Sequence, residues 1–81
     1  MAGFKYARNM RMKGVRIQNG DISQSQAAAK VGYTTQYYSR VERGMCDGCV
    51  DFWRKFQKAF NLSDSDAWQT MNNQPMTKNN E

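Results

Sequence analysis

Cys46 and Cys49 lie in the stretch "MCDGC" and are the only thiols of this 81-residue chain. Their C-x-x-C spacing suits two kinds of chemistry, a thiolate metal site or a dithiol redox pair. Tetrahedral zinc needs four ligands, and the chain has no histidine and no further cysteine, so a complete site would have to recruit carboxylates or a second subunit. A redox pair is expected at the start of a helix inside a strand-helix-strand unit. A helical pattern does follow Cys49, but no strand pattern accompanies it. The motif therefore reads as a structural loop, with no metal and no cofactor. No nucleophile stands paired with a base, and without histidine the commonest general base is missing, so no enzyme is expected.

The elements that must position any working side chain are helical. Short stretches of helical spacing alternate with Gly, Asn, Asp, Ser and Thr, and no period-two run of β-branched residues occurs. A first helix is expected from about Phe4 to Gln18, with Met12 and Val15 inward, ended by "NGD". Ser23 reads as the cap of a second helix, with Gln26 as its capping-box partner and Gly32 as its stop. Thr34 caps a third helix that ends at Gly44. A fourth runs from about Val50 to Phe60 with Val50, Trp53, Phe56 and Phe60 on one face, and Ser63 starts a short fifth that carries Trp68 and Met71. The fold class is thus all-α, a compact bundle of about five short helices. It forms one domain over residues 1–71, followed by a disordered polar tail over 72–81.

Twelve Lys and Arg against seven Asp and Glu give a formal charge of +5 and a pI near 9.5, which suits an anionic partner. No apolar run approaches the ~20 residues that span a bilayer. No membrane association is therefore expected, and the protein reads as cytoplasmic and nucleoid-associated.

The second and third helices, joined by "VGYT", have the spacing of a helix-turn-helix. The stretch "RIQNGDISQSQAAAKVGYTTQYYSRVERG", continued by "CVDFWRKFQKAFNL", resembles the DNA-binding domains of the lambda repressor, Cro and phage-repressor family. The resemblance implies a partly buried ion pair between Arg16 and Glu42, and close approach of two helices at the small Ala28. Four departures from the family pattern stand out. Ala27 replaces a usual leucine, with Tyr38, Trp53, Phe56 and Phe60 expected to recover the volume; Asp21 is an extra loop residue; Gln57 replaces a small apolar residue; and Gly48 with Cys49 stands in for a proline and a capping serine.

For DNA, the resemblance and the spacing agree on the exposed start of the third helix. Thr35, Gln36, Tyr37 and Arg40 are the candidates for base contact: Gln pairs with adenine, Arg with guanine, and a threonine methyl touches thymine. Gln24, Thr34 and Arg43 are the candidates for phosphate contact, together with the start of the fourth helix near Cys49, where thiol oxidation could interfere. Arg11 and Lys13 would add longer-range attraction. The expected function is a sequence-specific transcriptional regulator on an operator of double-stranded DNA, a repressor of phage, prophage or mobile-element type. A homodimer through the C-terminal helix would place Trp68 and Met71 in contact, the alternative being that Trp68 closes the core. The competing function is a protein-interaction module of the same fold, antitoxin-like or anti-repressor.

Overall fold

Each of the five helices begins at a residue whose side chain or loop conformation stops the chain from continuing as helix. A computed structural model describes residues 8–72. The helices are α1 (Met10–Gln18), α2 (Gln24–Val31), α3 (Thr35–Glu42), α4 (Val50–Ala59) and α5 (Asp64–Met71), with no strand among the described residues. Ser23, Thr34 and Ser63 each accept a hydrogen bond from the backbone N–H three residues on. Ser23 and Gln26 complete the reciprocal capping box.

The start of α1 corrects the sequence reading. Residues 4–7 of the expected helix lie outside the described residues, and Arg8 and Asn9 are not helical. Asn9 caps the helix instead, its side chain accepting from the Met12 N–H at 3.1 Å. It is buried because it also holds two other elements. Its backbone N–H donates to the Glu42 carbonyl at 2.7 Å, and its amide donates to the Thr70 carbonyl at 2.8 Å. One asparagine thus joins the head of α1 to the last turn of α3 and to α5.

The buried face of α4 is a second correction. Val50 is 68 % exposed, whereas Phe52 is wholly buried. At 3.6 residues per turn, Phe52, Trp53, Phe56 and Phe60 share a stripe, and Val50 falls about 100° from its centre. Phe52 becomes the hub of an aromatic core, with ring centroids of Tyr33, Tyr37, Tyr38, Trp53 and Phe56 at 5.0–6.1 Å. Ala27 and Ala28 are both buried in the same core cluster. The large side chains of α3 and α4 occupy the volume that small ones on α2 leave.

Gln57 has a definite task. Its amide donates to the Leu62 carbonyl at 3.1 Å and to the Asp64 carboxylate at 2.8 Å, bracing the turn from α4 to α5. Trp68 and Met71 are 56 % and 42 % exposed, so Trp68 does not close the core. α5 is held by the buried Thr70 and by Asn9. Asn72, expected at the head of the tail, closes α5, its amide and backbone N–H both donating to the Trp68 carbonyl. The rest of the expected tail, residues 73–81, lies outside the described residues.

Candidate nucleic-acid interface

Gly32, Tyr33 and Thr34 turn the chain from α2 into α3, and the turn is short because α2 stops on a left-handed glycine while α3 starts at once on the Thr34 cap. Tyr38 and Val41 face the core, so the opposite side of α3 faces outward. Thr35, Gln36, Arg40 and Arg43 are exposed there. With Gln24, Ser39 and Met45 they line one open hollow. The surface is cationic, and it presents two side-chain amides, two hydroxyls and two guanidinium groups. These are the donors and acceptors that base edges and phosphates take.

The hollow has a rigid back. Arg16 grips Glu42 with two bonds, Nε to Oε1 at 3.0 Å and Nη2 to Oε2 at 2.6 Å, and donates through Nη1 to the Ile22 carbonyl. Both side chains are largely withdrawn from water, at 13 % and 7 % exposure. The hydrogen bond to Glu42 raises the Arg16 pKa. The Gln24 amide donates to Glu42 Oε2 at 3.1 Å and completes a knot tying α1, the start of α2 and the end of α3. That bond uses one of the two N–H donors of the Gln24 amide. Burial pushes the Tyr38 phenol upward, and its hydroxyl makes no hydrogen bond among the described residues.

Tyr37 is placed differently from its neighbours. Its ring stacks on Tyr33 at 4.9 Å and meets Phe52 edge-on at 5.4 Å, and its hydroxyl accepts the Cys49 N–H at 3.0 Å. It is half-buried and turned towards the start of α4, outside the hollow. That helix start is also less open to an anion than its position suggests. Its leading N–H is used by Tyr37, and Asp51 sits in its first turn. The Tyr33 hydroxyl donates to Asp51 at 2.6 Å, which lowers the Asp51 pKa and raises that of Tyr33. Lys55 pairs with Asp51 at 3.4 Å and lies over the Tyr33 ring.

Both cysteines are free thiols, Cys46 half-buried and Cys49 exposed. The single proton of the Tyr33 hydroxyl is committed to Asp51, so the Cys49 thiol is the donor in its 3.4 Å contact with Tyr33. Cys49 takes the cap position of α4 without a side-chain capping bond. Gly48 supplies what the loop requires: at φ 80° a Cβ would lie 2.7 Å from Trp53 Nε1. Its absence lets the Trp53 N–H reach the Asp47 carbonyl at 2.8 Å. No group of three or more Cys, Asp, Glu or His side chains comes together for a metal among the described residues.

Lys13 and Arg11 part company on α1. Lys13 lines a hollow shared with Gln24, whereas Arg11 lines a cleft with Asp66 and Thr70 on another side. The helix-turn-helix family model matches residues 12–48, from the first turn of α1 to the glycine before α4. Over residues 12–48 the chain is similar to helix-turn-helix domains of the lambda-repressor-like type. No curated protein and no solved structure matches it. The family-model match supports a DNA-binding transcriptional regulator of the Cro and C1 type. No helix among the described residues is long and apolar enough to cross a membrane.

Two contributors to this region escape the sequence reading. Met45 is invisible to helical periodicity because it lies beyond the end of α3. Asp51 is local to α4 in sequence, but only the fold brings Tyr33 to it.

Proposed function

We propose that the protein is a sequence-specific repressor of phage, prophage or mobile-element type, acting in the cytoplasm on the nucleoid. The observation that carries this reading is the placement of Gln36 and Arg40 one turn apart on the exposed face of α3, inside a cationic hollow. Thr35, Gln36 and Arg40 read bases, with Gln36 on adenine, Arg40 on guanine and the Thr35 methyl against thymine. Tyr37 joins them only through the part of its ring left open by Tyr33 and Phe52. Arg43, Thr34 and the first-turn backbone of α2 at Gln24 take phosphates and set the register. A domain this small represses by occupying its operator.

Selecting bound sequences from a random DNA pool defines the site, and two alanine variants then assign roles. Arg40→Ala is expected to cost about 1–3 kcal/mol on the selected site and to relax one base position per half-site. Arg43→Ala is expected to weaken selected and scrambled DNA alike and to reduce the salt slope by about one. Equal losses for Arg40→Ala on both DNAs would show that Arg40 only positions α3.

One recognition helix spans few base pairs, so two copies on two half-sites are proposed, joined through the exposed Trp68 and Met71 of α5. Sedimentation of the operator complex is expected to give two proteins per DNA, and one per operator would remove the dimer. The same exposed Trp68 favours the second reading, an antitoxin-like or anti-repressor module that docks a protein. Failure of the random pool to yield any preferred sequence selects that reading.

A further inference from the structure

The end of α3 is closed by a two-bond glycine turn. The Met45 N–H donates to the Arg40 carbonyl at 2.8 Å, and the Gly44 N–H donates to the Val41 carbonyl at 3.1 Å, with Gly44 at φ 81°. In such a turn the residue after the glycine folds back over the helix residues three and four places inside the end, and it commonly makes an apolar contact there. Here those places hold Arg40 and Ser39, which are polar and belong to the outward face. Met45 therefore finds no apolar partner on its own helix, and it stays 47 % exposed. It lines the same hollow as Gln36, Arg40 and Arg43.

We infer that Met45 is a specificity residue that receives a thymine C5-methyl group, in the base pair beside the one that Arg40 reads; this rests on the DNA-binding reading above. Among the exposed groups of the hollow Met45 is the one long apolar side chain, and a thymine methyl is the apolar feature of the major-groove edge. The unbranched thioether bends to fit an irregular apolar surface, which suits a partner that arrives only with the DNA. The glycine turn fixes the backbone of Met45 relative to Arg40, so the two side chains address neighbouring pairs at a set spacing. Thr35, at the other end of α3, serves a different thymine.

Deoxyuridine differs from thymidine at the base only by that methyl, so it tests the contact without altering hydrogen bonding. Each thymine of the selected site is replaced in turn by deoxyuridine, and affinity is measured for the full chain and for Met45→Ala. At the position in each half-site that faces Met45, distinct from the one that faces Thr35, the parent protein is expected to lose about fourfold, the equivalent of one buried methyl. Met45→Ala is expected to bind thymine and uracil equally at that position and to keep its sensitivity elsewhere. Met45 is exposed, so the variant is expected to keep the parent's thermal melting, which a parallel scan checks. Two results overturn the inference: a parent indifferent to uracil everywhere, or a variant that keeps every preference for thymine and loses affinity uniformly, as a backbone contact would. A pool that yields no preferred sequence would instead remove the DNA-binding reading itself.

Discussion

Arg16→Met is expected to lower folding stability by roughly 1–4 kcal/mol, although the new side chain fills similar space. The guanidinium that leaves makes two bonds to Glu42 and one to the Ile22 carbonyl. Glu42, at 7 % side-chain exposure, would keep only the Gln24 amide as a partner. Removing one member of a buried pair costs about 3–5 kcal/mol, and the remaining access to water reduces that figure here. Each kcal/mol moves the melting temperature of a domain this size by about 4–8 °C, so the loss is readily measured. The double variant Arg16→Met with Glu42→Leu is expected to recover much of it, because no charge is left stranded. An unchanged melting temperature in the single variant would show that the pair contributes nothing to stability.

The same knot explains which parts of the protein could be read from its sequence. Ser23, Thr34 and Ser63 cap helices through bonds to residues three places away, and such local chemistry is visible in a single stretch. Asn9 was not legible, because its burial depends on Thr70, 61 positions distant, and on the Glu42 carbonyl. Val50 and Phe52 differ in helical phase alone. Both are apolar and near the start of α4, and only the packing of Tyr33, Tyr37 and Tyr38 decides which side of the helix turns inward.

The candidate DNA-binding face shows the same division. Thr35, Gln36 and Arg40 follow from the Thr34 cap and helical spacing, whereas Tyr37 is drawn aside by Tyr33 and Phe52. Met45 enters through a reversal of the chain that no helical period describes. The start of α4 looked open to phosphate until the fold brought Tyr33 onto Asp51 and Tyr37 onto the Cys49 N–H. Local bonds announce themselves in sequence, while side chains shared between distant elements do not.

Phe52→Ala is expected to cost about 3–5 kcal/mol, more than the loss of Arg16. Phe52 is wholly buried and its ring meets five others, so the cavity left behind is lined by rigid aromatic groups that cannot collapse into it. At roughly 0.05–0.15 kcal/mol per residue, 81 residues carry about 4–12 kcal/mol in all, so the loss removes about a quarter of the total or more. Phe52→Leu keeps most of the volume and is expected to remain folded with a smaller loss. Its defect then falls on function as well, because Tyr33 and Tyr37 both rest against the Phe52 ring and Tyr37 accepts the Cys49 N–H. Loosening them frees the first turn of α3 beside Gln36. Chemical denaturation measures the stability loss in both variants, and DNA binding by Phe52→Leu well below its melting point measures the second effect. A Phe52→Ala protein as stable as its parent would mean that the aromatic cluster is not what holds α3 on α4.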